Sequence, residues 1–241
     1  MEEVIKVQQL TKNYDNVTAV DNISLTVEKG TVFGLLGPNG AVKSTTIECI
    51  LGTKEADEGQ VSILGYNPKK HRVKLFQKVG VQFQESDYQP EIKVSELCEE
   101  TAALYKNPVD WRELCRQFGI GSKIKNPVKS LSGGERQRLF IVLALIPTPE
   151  VVFLDELTTG LDAKARRDVW KILSSLKEKG LTVFLTSHFM DEVEALCDKI
   201  CILKKGKVAF YGTVEQAKVV SGCEKFEDAY LVLSGQEVDE E

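Results

Sequence analysis

Three observations predict an α/β fold for this chain. Four short runs, "VFGLL", "VGVQF", "VVFL" and "TVFLT", are apolar nearly throughout, as strands covered on both faces of a sheet tend to be. Amphipathic helical segments separate them. Between about residues 87 and 130 the strand pattern gives way to short helical segments, which reads as a helical insertion in the α/β core.

The strands are predicted at 4–8, 23–27, 31–36, 61–64, 79–83, 151–154, 182–186, 200–203 and 207–211. After the third, "KSTTIECILG" sets Ile47, Ile50 and Leu51 on one helical face, and Gly52 supplies the stop. The insertion holds "VSELCEETAALY", "DWRELCRQFGI" and the polar "GSKIKNPVKS". "DAKARRDVWKILSSLKEKG" groups Val169, Ile172, Leu173 and Leu176, with Asp162 as N-cap and Gly180 just past the end. "DEVEALC" reads as a helix with a capped, acidic first turn, and "KKG" at 204–206 as a hairpin turn. From about Gly222 the pattern weakens, so residues 224–241, closing on "GQEVDEE", are expected to form a frayed acidic tail.

Composition narrows the function classes. With 241 residues, 42% hydrophobic and 28% charged, the chain is an ordinary globular protein. A net charge of −5 argues against a dedicated nucleic-acid binder, so no nucleic-acid partner is expected. The longest apolar run, around residues 139–146, is far short of the ~20 needed to span a bilayer and stops at Pro147. "MEEVIKVQQL" lacks the layout of a secretory signal. The expected location is cytoplasmic, peripheral on the inner face of the cell membrane if a partner holds the chain there. Six cysteines form no C-x-x-C, and there are two histidines, so a zinc site is not expected and the thiols are read as reduced. Cys197 and Cys201, four apart, either share a helix face or are split by a strand starting near Cys201.

Three stretches carry chemistry. "LLGPNGAVKSTT", 35–46, follows a buried-type strand and opens a helix, the context of a loop whose backbone N–H groups converge on phosphate. Lys43 would bridge the outer phosphates and Ser44 would ligate Mg²⁺. The pattern G-x-x-x-x-G-K-[ST] asks for glycine where Val42 stands. "VVFLDE", 151–156, ends an apolar strand in two carboxylates, placing Asp155 by the Mg²⁺ shell and Glu156 to orient or deprotonate a water. An acidic turn where a strand meets solvent is the plainer alternative. "LSGGERQRL", 131–139, runs a Ser-Gly-Gly turn into a helix; Ser132 can cap it and its start can hold an anion. A capped helix with a polar first turn is the alternative there.

Taken together, these residues resemble the nucleotide-binding subunit of an ABC transporter, over about residues 4–211. "LSGGERQ" matches the ABC signature, with Ser132, Gly133 and Gly134 at its centre. Gly37, Pro38, Asn39, Gly40, Ala41, Val42, Lys43, Ser44 and Thr45 match Walker A. Asp155 and Glu156 match Walker B and its catalytic glutamate, and "GLD", ending at Asp162, matches the D-loop. Gln84 matches the Q-loop glutamine, His188 the switch histidine, and Tyr14 the aromatic that stacks on adenine. Each has a plainer alternative: Tyr14 a surface aromatic, Gln84 a polar strand end like its neighbour Gln82, His188 the polar tip of a strand.

The resemblance implies a P-loop NTPase core, a mostly parallel sheet flanked by helices, with an N-terminal antiparallel β subdomain and an α-helical subdomain at about 87–146, all within a nucleotide-binding domain of residues 1–223. It implies ATP and Mg²⁺, with Lys43, Gln84, Glu156 and His188 as the catalytic set and Ser44, Gln84 and Asp155 around the metal. It implies two such domains docked head to tail as a homo- or heterodimer, each signature completing the other's ATP site, and membrane-spanning permease subunits as separate chains. "LDELTTGLD" with "SHFMDEVEALCD" resembles the ATPases of ABC-2-type exporters, so the implied activity is ATP hydrolysis that drives transport, most naturally export.

Two departures matter. Leu157 stands where the family has proline. Val42 replaces glycine; at positive φ a β-branched residue would cost ~1–3 kcal/mol, while at negative φ only crowding remains. The alternative reading is therefore a partner subunit that binds nucleotide with impaired hydrolysis.

Overall fold

The computed structural model describes residues 2–15, 17–38, 42–83, 88–89 and 91–236. In chain order the elements are β1 (Glu3–Tyr14), β2 (Val17–Glu28), β3 (Val32–Leu36), α1 (Val42–Leu51), β4 (Glu58–Ile63), α2 (Arg72–Leu75) and β5 (Val79–Gln82). Then follow α3 (Val94–Ala103), α4 (Trp111–Gln117), α5 (Gly133–Leu145), β6 (Val151–Leu154), α6 (Ala163–Glu178) and β7 (Thr182–Thr186). The chain closes with α7 (Met190–Leu196), β8 (Lys199–Lys204), β9 (Lys207–Gly212), α8 (Val214–Ser221) and α9 (Phe226–Ser234). It divides into two compact units, Met1–Leu75 with Thr186–Glu241, and Phe76–Leu185.

In the first unit β1 pairs antiparallel with β2 on one side and β4 on the other. Alternation buries Ile5, Val7, Ile23, Leu25 and Val27 on one face. Both long strands outrun the sequence prediction. The register shifts after Val7, where Gln9 takes φ 52°, and Asn22 takes φ 53° near the matching break in β2. Such bulges break the period of two, so pattern reading stops at them.

β3 pairs parallel with β8, and every β3 residue is buried. β8 turns into β9 through Lys205 (φ 49°) and Gly206 (φ 82°), two left-handed residues in the hairpin geometry that "KKG" predicts. Cys201 lies inside β8 and Cys197 caps the end of α7, so the two share no helix face. Burial pushes the Cys201 thiol up to about 12.

The acidic tail requires correction. Residues 226–234 form α9, whose Phe226, Ala229 and Tyr230 pack with Leu36, Ile200, Ile202 and Ala217. The i, i+3, i+4 apolar spacing is present in "FEDAYLVLS", but Glu227 and Asp228 in the first turn mask it. Residues 237–241 lie outside the described residues.

In the second unit β5, β6 and β7 pair in parallel, with β6 and β7 wholly buried. Phe153 and Phe184, opposite each other, stack at 5.0 Å between ring centroids. Helices α3 and α4 confirm the strand-free stretch, α4 capped by Asp110 accepting from Arg112 N–H. In α6, Val169 and Leu173 are buried while Ile172 and Leu176 are half-buried. Asp162 caps α6, its carboxylate accepting from Ala165 N–H at 2.8 Å.

Candidate functional site

The phosphate-loop candidate begins where β3 ends. A Cβ on Gly37 would meet the Leu203 carbonyl oxygen at 3.0 Å, so the loop leaves β3 tightly against the end of β8. Asn39, Gly40 and Ala41 lie outside the described residues. Val42 opens α1, so its backbone is helical, φ is negative, and the left-handed penalty does not arise. Its carbonyl accepts from the Thr46 hydroxyl at 2.6 Å.

Lys43 is 5% exposed, and its ammonium donates to the carbonyl oxygens of Gly37 (2.7 Å) and Pro38 (3.2 Å). Thr45 is buried and Ser44 half-buried on the same first turn. Tyr14 is the last residue of β1 and half-exposed. His188 lies exposed two residues beyond β7 rather than at the strand's end. The helix after it, α7, has acidic Asp191 and Glu192 in its first turn but starts at Phe189 without a side-chain cap, which corrects the predicted capped start.

The second unit holds the other motifs. Asp155 is buried just past β6, its N–H donating to the carbonyl of Gln82 at 3.1 Å. Glu156 takes φ 52°, a left-handed conformation that costs a non-glycine residue of order ~1 kcal/mol and holds the turn in one shape. Two glutamines that the sequence reading did not assign support this turn. Gln137 Nε2 donates to the carbonyls of Glu156 (3.1 Å) and Leu157 (2.9 Å), so the signature helix α5 is fastened to the Walker B turn. Gln82 Nε2 donates to the carbonyls of Phe83 (2.9 Å) and Asp155 (3.1 Å). The available signal for Gln82 was a lone polar residue inside an apolar run; for Gln137 it was one helical turn of separation from Gly133. Gln84 lies outside the described residues.

Ser132 caps α5. Its hydroxyl accepts from Glu135 N–H at 3.2 Å, and the Glu135 carboxylate accepts from Ser132 N–H at 2.9 Å. Those bonds, joined by Lys123, hold the Glu135 carboxyl below the usual carboxylate range. Gly133 faces open space, with no atom within 4 Å of a Cβ built there. Gly134 does not: its Cβ would stand 3.1 Å from Leu161 and 3.3 Å from the Gly160 carbonyl, so the signature rests on the D-loop turn.

The structure thus groups the Walker A residues with Lys43 in the first unit, and the signature, Walker B and D-loop residues in the second. Among the described residues no three His, Cys, Asp or Glu side chains form a metal cage. A nucleotide-borne Mg²⁺ needs only one or two protein oxygens, the rest coming from phosphate and water, and the Ser44 hydroxyl and Asp155 carboxylate are donors of that kind. No helix among the described residues is long and apolar enough to cross a membrane.

Comparison with known proteins shows the family and the fold. The profile of the family described as ABC transporter matches residues 20–159. The chain is 38% identical over 212 residues to the Nod factor export ATP-binding protein I of Ralstonia nicotianae, covering 85% of this chain and 65% of that one. It is 35% identical over 215 residues to the linearmycin resistance ATP-binding protein LnrL of Bacillus subtilis, covering 87% and 69%. The chain therefore spans about two thirds of the length of these curated relatives. Among solved structures, the ATP-binding subunit of an ABC transporter superposes with a TM-score of 0.88 at 26% identity, covering 96% of this chain and 99% of that one.

Proposed function

The chain belongs to the ABC transporter family, and from that premise we propose that it is an ATP-binding, ATP-hydrolysing subunit that powers transport, most naturally export, through separate permease chains. The observation that carries this reading is Lys43, a buried ammonium held by the carbonyls of its own loop at the start of α1. It supplies a buried positive charge at a helix start, where a phosphate oxygen can accept from it.

In this reading Tyr14 stacks on the adenine, Lys43 and the helix start bind the outer phosphates, and Ser44, Asp155 and Gln84 hold Mg²⁺, which neutralises charge developing on the phosphates. Glu156, kept in its left-handed turn by Gln137, orients the attacking water and takes its proton. His188 contacts the outgoing phosphate. Gly133, open to solvent, and Ser132 serve the ATP of a second nucleotide-binding subunit docked head to tail, with Asp162 at that junction. Hydrolysis removes the phosphate that joins the pair, and the helical insertion passes the movement to the permease. The similarity to a Nod factor export protein and a linearmycin resistance protein supports the direction. We place the chain on the cytoplasmic face of a membrane, with residues 1–223 as the nucleotide-binding domain.

The helical backbone of Val42 favours a competent site over the impaired-partner alternative. Mg²⁺-dependent ATP hydrolysis by the purified chain tests the proposal. Glu156→Gln is expected to keep ATP binding and to lower kcat by about 10²–10⁴-fold. A wild-type chain that binds no ATP would sink the reading.

A further inference from the structure

The Tyr14 ring is held by two ammonium groups. Lys12 Nζ lies 5.6 Å and Lys54 Nζ 5.4 Å from its centroid. Neither lysine is loose. Lys12 is anchored by Asp57 at 2.9 Å, and Asp57 also accepts from Asn13 N–H, which fixes the end of β1. Lys54 is anchored by Glu48 at 2.7 Å. Glu48 belongs to α1, the helix that starts with Val42, Lys43 and Ser44. The chain between Glu48 and Lys54 is itself closed: the N–H groups of Thr53 and Lys54 donate to the Glu48 carbonyl at 3.0 and 3.1 Å. A short, internally bonded path therefore runs from the phosphate-loop helix through Lys54 to the aromatic ring of β1.

We infer that Lys54 is a positioning residue, which ties the base platform Tyr14 to the phosphate-loop helix and so sets where the base stacks relative to the phosphates. The inference rests on the nucleotide-site reading given above. Nothing in the Walker A pattern asks for a lysine there. Its part follows from geometry: a half-exposed tyrosine at a strand end has a free choice of orientation, and a cation beside its ring, itself held by a carboxylate, limits that choice. An aromatic already oriented binds a base at a lower entropic cost than one that must be ordered. Lys54 differs in this from Lys43, because it acts on the part of the ligand that bears the base and not on the phosphates.

Affinities for ATP and for inorganic tripolyphosphate, measured side by side at physiological salt, test this. Wild type is expected to bind ATP more tightly than tripolyphosphate, through the base. In Lys54→Met, which keeps the apolar stem, ATP affinity is expected to fall about three- to fivefold while tripolyphosphate affinity stays the same. Lys54→Arg, which preserves the cation, should restore ATP affinity. Glu48→Gln should reproduce part of the loss, and it provides a second variant at the other end of the same link. An equal loss for both ligands would show that Lys54 acts as a phosphate charge and overturn the inference; so would unchanged ATP affinity in Lys54→Met. A wild-type chain that binds neither ligand overturns the nucleotide-site reading instead, and the inference with it.

Discussion

Two helix starts in this molecule look alike in sequence and differ in what they leave unfinished. Glycines mark both, Gly37 and Gly40 in the sequence before α1, and Gly133 and Gly134 opening α5. At α5 the start is complete in itself: Ser132 and Glu135 exchange hydrogen bonds, and Gly134 is packed on the Gly160–Leu161 turn. At α1 a buried ammonium is engaged with its own loop's neutral carbonyls. The first arrangement is finished by folding, and presents an exposed Gly133 to whatever docks on it. The second places a buried cation at a helix start, two features that favour an anion. The lesson is that a phosphate site is recognised less by its turn than by a buried cation set at the helix start.

The strongest way to break this contrast is Lys43→Met. Loss of a charge-assisted contact is expected to weaken ATP binding about 10- to 100-fold. Stability to urea should change little, because methionine keeps the packing of the lysine stem. Equilibrium unfolding beside ATP titration checks both; a large loss of stability would mean that Lys43 serves the fold.

Ser132→Ala sharpens the other side. Removal of an N-cap is expected to cost about 1 kcal/mol of stability and to leave ATP binding by the single chain intact. ATP-driven pairing, followed by light scattering with Glu156→Gln to slow turnover, should weaken. Weaker ATP binding in the isolated chain would place the signature within its own site.

Val42→Gly bears on whether the first helix start is compromised. Because Val42 is helical, glycine should change kcat/KM less than about threefold and lower stability by under about 1 kcal/mol. A gain in activity of tenfold or more would show that the valine methyls crowd the phosphate.

The smallest effect is expected from pH. Glu135 is held below the usual carboxylate range, first by the Ser132 N–H and then by Lys123. A depressed carboxyl stabilises the fold at pH above its unfolded value of about 4.3, and that contribution is lost as pH falls through the lower folded value. Wild type and Glu135→Gln should therefore differ in melting temperature at pH 7 and converge once the pH falls below the depressed folded value. A difference that persists there would remove the capping box as its cause.

How much of this was legible in the sequence depends on the range of the interaction. The buried strands β6 and β7 were read to the residue, because a fully covered strand must be apolar throughout. The helix signals at Asp162 and Gly52 were read for the same local reason. Strands β1 and β2 were read short because bulges interrupt alternation, and α9 was read as tail because acidic residues in its first turn hide three buried ones. At the site, the motifs were plain and their supports were not. Gln137 and Gln82 each reach across about 20 or 70 residues to carbonyls, and Lys54 reaches back to Tyr14 from the far end of α1.

By itself, then, the sequence determined the α/β class, the helical insertion, the order of the motifs and the chemical types at each candidate position. Those depend on local periodicity and on residue chemistry, which a linear string carries. Only the tertiary structure decided that Val42 takes helical backbone, that Glu156 sits in a left-handed turn fastened by Gln137, that Lys43 is buried against its own loop, and that the aromatic at position 14 is tied to the phosphate-loop helix. Each of these is a dihedral angle or a contact between distant residues, settled when elements pack and not by the residue types that meet there.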